Sequence, residues 1–177
     1  MKATVLALVG TCLLLASACS VGPRHTPDSE LEQRFFQHEA EFDALLADVQ
    51  ADGKLTMIGP QEIRYAGRTL SGRAGLSAIE LAGLTAERWA GYQRQLRDLG
   101  LVLVTKADGG VEFRVDTGSF FNGDSYKGYE YNSNPAEHPK AGLDGYRISE
   151  SDRDGSGGYY VSKPLKGNWR LYLYVNG

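Results

Sequence analysis

The densest group of chemically able side chains lies at residues 125–131, Ser-Tyr-Lys-Gly-Tyr-Glu-Tyr. In a β-strand, alternate side chains point to the same face, so Ser125 and Lys127 would be neighbours. A buried lysine that loses its charge can take the proton from a serine hydroxyl, which is how serine–lysine hydrolases work. One function to consider is therefore a small hydrolase with Ser125, Lys127 and Asp144 as catalytic residues, although nothing in the sequence marks an oxyanion hole.

The tyrosine content is the one unusual feature of the composition. Eight of the ten tyrosines fall between Tyr126 and Tyr174. Tyrosine and tryptophan combine a large apolar ring with a polar tip, which suits strand cores and ligand-facing surfaces alike. Lysine and arginine would add hydrogen-bond donors. The predicted binding residues, each equally well explained as part of a core, are Lys127, Tyr129, Tyr131, Arg147, Trp169 and Tyr172.

Metal, cofactor and nucleic-acid sites are not predicted. The histidines at positions 25, 38 and 138 form no pair with metal-ligand spacing. Residues 150–155 open like a calcium loop, but Val161 stands where a bidentate glutamate is needed. The net charge is −3 and the basic residues are scattered singly, whereas nucleic-acid binding needs clustered positive charge.

Residues 1–19 have the pattern of a cleaved export signal. Lys2 precedes an apolar run from Ala3 to Leu15, which is too short to span a bilayer as a helix. Small residues follow the run, as they do at a cleavage site. The chain is therefore predicted to leave the cytoplasm.

The last four residues of this signal, Ala16-Ser17-Ala18-Cys19, resemble the lipobox of bacterial lipoproteins. The resemblance implies that Cys19 is lipidated and becomes the first residue of the mature chain. Ser20 after it is similar to the residue found in lipoproteins sent on to an outer membrane. The alternative is an ordinary secretory signal that happens to end near a cysteine.

Three segments are predicted: a cleaved lipoprotein signal peptide at 1–18, a lipidated tether at 19–27, and a single domain at 28–177. The tether is predicted because Ser20–Pro27 contains two prolines and a glycine and shows no apolar periodicity. Cys12 would leave with the signal and Cys19 would be acylated, so the mature chain would have no free thiol.

Helices are predicted in the N-terminal half. Ser29 and Glu32 form a capping-box pattern that opens a helix ending near Gly53. A similar pattern at Ser77 predicts a short helix, and Thr85 opens another that Gly100 ends. The apolar stripe of the first helix comprises Leu31, Phe35, His38, Phe42, Leu45 and Val49.

From Leu101 the apolar period changes to two, which indicates strands joined by turn-rich loops. The fold class is α+β, with the N-terminal helices packed on one face of a C-terminal antiparallel sheet. The predicted strands are 55–58, 62–65, 101–106, 111–116, 126–131, 146–149, 158–162 and 169–175.

The C-terminal half also carries a resemblance. Its Lys127-Gly-Tyr-x-Tyr131 stretch, the Tyr146-Arg147 pair and Asn168-Trp-x-Leu-Tyr172 are together similar to a group of hypothetical lipoproteins of Gram-negative bacteria. The resemblance covers about the last ninety residues, implies one compact domain, and carries no activity.

The sequence thus predicts a lipid-anchored protein of the bacterial cell envelope, facing the periplasm from the outer membrane. The preferred function is a binding, inhibitory or structural module, and the alternative is the small envelope hydrolase. The expected partners are the membrane, through the lipid, and an envelope protein or cell-wall component. Self-association through the first helix remains an alternative, because its stripe fits a heptad over nearly three repeats.

Overall fold

The computed structural model describes residues 25–71, 83–107, 109–120, 123–133, 140–155 and 157–176. The helix predicted at Ser77 lies outside these residues. In the described parts, helices precede or interrupt a set of antiparallel strands, which confirms the α+β class.

Three α-helices are described: α1 (Asp28–Gln37), α2 (Glu39–Ala51) and α3 (Ala86–Asp98). The first two replace the single helix predicted from Ser29 to Gly53. The break lies at His38, whose φ of −125° leaves helical geometry while its N–H and C=O groups still cap the two helix ends. The half-exposed His38 therefore interrupts the apolar stripe, and the other five stripe residues are buried.

The helix starts follow different rules. The capping box predicted at Ser29 is not formed, since α1 begins one residue earlier behind Pro27, without a side-chain cap. At α3 the prediction is confirmed, because the Thr85 hydroxyl accepts a hydrogen bond from the Arg88 N–H at 3.2 Å. Gly100, with φ of +64°, ends the chain's helical course after Leu99.

The eight strands in the described residues form one sheet in the order β3-β2-β1-β4-β5-β6-β8-β7, with antiparallel pairing throughout. The segment 146–149, predicted as a strand, is instead a loop leading into a 3-10 turn at Glu150–Asp152. The strands are β1 (Leu55–Ile58), β2 (Glu62–Tyr65), β3 (Arg68–Ser71), β4 (Leu103–Ala107), β5 (Gly110–Phe120), β6 (Gly123–Asn132), β7 (Tyr159–Lys166) and β8 (Trp169–Val175).

The described helices pack against one face of this sheet. The Phe42 ring of α2 contacts the Tyr129 ring of β6 edge to face with ring centroids 4.7 Å apart, and Trp169 of β8 donates a hydrogen bond from Nε1 to Asp43 at 3.0 Å. Lys106 of β4 reaches the carbonyl groups at the C-terminal end of α2. The aromatic centre of the core comprises Phe35, Phe42, Phe113, Tyr129 and Trp169.

One close backbone contact shapes the middle of the sheet. Between Arg114 and Asp116 the β5–β6 register shifts by a β-bulge. Gly128 faces this point, and a Cβ there would lie 2.1 Å from the Phe113 carbonyl oxygen. Glycine is required because no side chain fits where the two backbones approach.

We expect Gly128→Ala to lower the free energy of unfolding by about 1 to 3 kcal/mol, because β5 and β6 must separate to admit the methyl group. Urea denaturation measures the change. The matched control is Gly91→Ala in α3, where a Cβ meets no atom within 4 Å; it should stabilise the protein by about 0.5 kcal/mol through helix propensity. Equal effects of the two substitutions would contradict the close contact.

Candidate functional site

Lys127 of β6 is a charged residue in the core. Its side chain is 2% exposed, and its Nζ lies 2.7 Å from Asp28 Oδ1 and 2.7 Å from Asp144 Oδ1. Asp28 is the first residue of α1, whereas Asp144 lies in the loop after β6. One ammonium group thus joins the start of the helices, the centre of the sheet and a distant loop.

The Asp28 carboxylate is held from several sides. It accepts a hydrogen bond from the Leu143 N–H at 2.7 Å, and Lys163 of β7 lies 3.5 Å from its Oδ2. The Asp28 N–H in turn donates to Asp144 Oδ2 at 2.9 Å. Burial by itself would raise the pKa of Asp28, but the Leu143 N–H and the Lys127 and Lys163 ammonium groups outweigh it and lower that pKa.

A second polar cluster lies next to the first and contains Ser125. Its hydroxyl oxygen is 2.9 Å from Nε2 of His25, and the other ring nitrogen, Nδ1, is bonded to Asp116 Oδ1. The Thr26 N–H donates to Asp116 Oδ2 at 2.6 Å. Burial favours a higher pKa for Asp116, but the bonds from His25 and Thr26 lower it.

We call these two clusters together the N-terminal lock: His25, Thr26 and Asp28 on one side, and Asp116, Ser125, Lys127, Leu143 and Asp144 on the other. Among the described residues, the contacts of the lock include His25, three residues before the boundary predicted for the domain. His25 and Thr26, which lie in the predicted tether, thus form hydrogen bonds with side chains of β5 and β6.

The lock separates the residues of the predicted hydrolase. Lys127 lies 2.7 Å from Asp144, and Ser125 lies on the same face of β6 as Lys127. Ser125, however, forms its hydrogen bonds with His25 and with the Gly118 carbonyl oxygen, at 3.2 Å. Ser125, His25 and Asp116 are thus connected in the order of the serine, histidine and aspartate of a catalytic triad. The sequence did not indicate His25 or Asp116 as site residues.

Two proton arrangements fit this serine–histidine–aspartate cluster. If the Ser125 hydroxyl donates to Gly118, then Nε2 of His25 must donate to Ser125 while Nδ1 donates to Asp116. The imidazole is then doubly protonated and cannot act as a base. If the hydroxyl donates to Nε2, the cluster has the polarity of a triad, but Ser125 has zero solvent exposure and meets no substrate.

Most of the predicted binding residues lie in the core. Tyr129, Trp169 and Lys127 are buried on the helix-covered face, and Tyr131 is half-buried beside Trp169. The Tyr129 hydroxyl donates to the Leu31 carbonyl oxygen at 2.9 Å, so its polar tip is already used. Of the other two, Arg147 is exposed in a loop and Tyr172 is buried on the opposite face.

That opposite face carries a second set of tyrosines. Tyr126 stacks on Tyr174 across β6 and β8, and Tyr160 stacks on Tyr172 across β7 and β8, with ring centroids about 6 Å apart. The Arg114 guanidinium lies 4.0 Å from the centre of the Tyr126 ring. We call these five residues the tyrosine face. Tyr126, Tyr160 and Tyr174 are half-buried.

Charged residues continue this face towards the β7–β8 turn. Glu130 accepts hydrogen bonds from the Tyr160 hydroxyl and from Asn132. Burial and the neighbouring Glu130 carboxylate raise the pKa of Tyr160, so its hydroxyl is a neutral donor. Rings, hydroxyl groups and both signs of charge therefore lie on one surface, as is common where proteins bind polar partners.

The acidic run of residues 150–155 is a structural turn. Burial opposes ionisation of Asp152, but hydrogen bonds from Ser149 and contacts with Lys140 and Tyr146 lower its pKa to about 2. Asp152 and Tyr146 thereby fold the loop beside β7. No group of three or more His, Cys, Asp or Glu side chains in the described ranges has the arrangement of a metal site.

Neither a family model, nor a curated protein, nor a solved structure matches the chain. Within the parts of the chain that the structure describes, no helix is both long enough and apolar enough to cross a membrane.

Lys127→Met should lower the free energy of unfolding by about 3 to 5 kcal/mol, because it leaves the buried Asp28 carboxylate without its main counter-ion. Denaturant unfolding measures the loss. The matched control, Lys166→Met, removes an ammonium that is 60% exposed and paired with Glu39; its cost should stay within about 1 kcal/mol. A similar small cost at Lys127 would show that the buried pair is dispensable.

Proposed function

We propose that the protein is a lipid-anchored module of the bacterial cell envelope that binds or supports a partner and performs no catalysis. The observation that carries the proposal is the position of His25 and Thr26 on the sheet, six and seven residues after Cys19. A chain that passes almost directly from a lipobox-like cysteine into a folded domain suits a module held at a membrane surface.

The tyrosine face supports the binding role. Tyr126, Tyr160 and Tyr174 remain partly accessible on the side of the sheet opposite the described helices. Ring area with polar tips and nearby donors is the chemistry expected for contact with a protein or a cell-wall component. The proposed contact surface is thus moved from Tyr129, Tyr131 and Trp169 to the other face of the same strands.

Acylation is tested by the mass of the mature N-terminal peptide, taken from membrane and soluble fractions. We expect a peptide that begins at an acylated Cys19 in the membrane fraction. The Cys19→Ala variant should lose the lipid mass and leave that fraction, because stable anchoring depends on the buried acyl chains. An unmodified, soluble wild-type protein cleaved at another position would contradict the proposal.

The hydrolase is kept as a second candidate because Ser125, His25 and Asp116 have the spacing of a triad. Our proposal predicts that a fluorophosphonate probe does not label Ser125 in the folded protein, since the hydroxyl is fully buried. Intact mass and peptide mapping measure the labelling, with Ser125→Ala as the matched control. Labelling that disappears in both Ser125→Ala and His25→Ala would establish the hydrolase instead.

A further inference from the structure

The N-terminal lock defines the direction in which the chain enters the domain. His25 lies beside Ser125, Asp28 beside Lys127, and Leu31 beside Tyr129. Positions further along the entering segment thus contact positions further along the same face of β6. The chain runs along β6 from its beginning at Gly123 towards its end at Asn132.

The beginning of β6 is also the end of β5. These strands pair until Phe120 faces Gly123, so only residues 121 and 122 connect them. The last described backbone bond of β8 joins the same end, since the Asn176 N–H donates to the Asp124 carbonyl oxygen at 2.9 Å. We call this end of the sheet the entry end. The β7–β8 turn at residues 167–168 lies at the opposite end.

Chain length limits the distance of the entry end from the lipid. Only residues 20–24 separate Cys19 from His25. Six Cα–Cα steps span at most roughly 21 Å. From Ser125 the entry end is two residues away, about 7 Å, whereas Asn132 is seven residues away, about 23 Å.

We propose that the entry end of the sheet faces the lipid bilayer that anchors Cys19, and that the N-terminal lock holds the domain in this orientation. The inference rests on the lipid anchor proposed above. Presenting the opposite end would require the tether to run past the whole length of β6 at full extension. The partner at the entry end is the headgroup region of the bilayer, and the tyrosine face then stands at an angle to the membrane, accessible from the periplasm.

The entry end has exposed positions at which a label can be attached. Asp124 is exposed, and Thr117 is exposed one strand away. The mature chain has no cysteine other than Cys19, so single thiols can be introduced and labelled without interference.

The test uses the full-length lipidated protein in vesicles of phosphatidylethanolamine and phosphatidylglycerol that contain headgroup spin-labelled lipid. A fluorophore is attached at Asp124→Cys in one sample and at Asn168→Cys, on the β7–β8 turn, in the other. We expect the label at 124 to be quenched several-fold more strongly than the label at 168. Equal quenching, or stronger quenching at 168, would overturn the orientation.

The lock is tested by the double substitution His25→Ala and Asp116→Ala, which removes the second cluster and leaves Lys127 with Asp28 and Asp144. The difference between the two labels should then diminish, because the freed segment lengthens the tether. The matched control, Glu30→Ala, removes only an exposed ion pair of α1 and should retain the difference. An undiminished difference in the double variant would show that the lock does not orient the domain.

Failure of the anchor and failure of the orientation give different results. Vesicle flotation and the mass of the N-terminal peptide are recorded on the same samples. A protein that neither floats nor carries lipid overturns the proposed function and this inference with it. A protein that floats, carries lipid and shows no stronger quenching at 124 overturns the orientation alone.

Discussion

The burial of one ammonium group, that of Lys127, constrains the rest of the fold. A charge in a nearly dry site is tolerated only when carboxylates approach closely and their remaining lone pairs are also satisfied. Asp28, about a hundred residues before Lys127, and Asp144, 17 residues after it, approach the ammonium at 2.7 Å each, and Leu143 and Lys163 contact the Asp28 carboxylate as well. The same buried charge therefore holds three elements in place: the start of α1, the loop after β6 and the edge strand β7.

The neighbouring Ser125 cluster shows how burial decides between chemistry and structure. Serine, histidine and aspartate have the contacts that nucleophilic catalysis uses, yet the hydroxyl is sealed and also bonded to the Gly118 carbonyl oxygen. What the cluster does in this conformation is to bind the segment before α1 to β5 and β6. A polar network of this kind specifies a unique arrangement when all its members are bonded. In this protein the arrangement is the point at which the chain enters the domain.

The aromatic residues of the sheet lie on two faces with different surroundings. Tyr129 and Trp169 pack with the helices, while Tyr126, Tyr160 and Tyr174 lie on the opposite face. Alternation along β6 predicted this division, but the pattern could not say which face the helices would cover. Four of the six predicted binding residues, Lys127, Tyr129, Tyr131 and Trp169, therefore lie on the covered face. Gly128 shows the same limit, because only the fold places it where a Cβ would lie 2.1 Å from the Phe113 carbonyl oxygen.

The sequence by itself determined the α+β class, most strand positions and the start of α3, because these depend on local periodicity and on capping by neighbouring residues. It did not predict β3, the helix break at His38 or the loop at 146–149, where contacts with distant segments outweigh local preference. Only the tertiary structure decided the site. His25 reads as part of a tether and Asp116 as an ordinary strand residue, since nothing local indicates that folding brings both to Ser125. Hydrogen bonds and buried charge between residues about a hundred positions apart bring these side chains together.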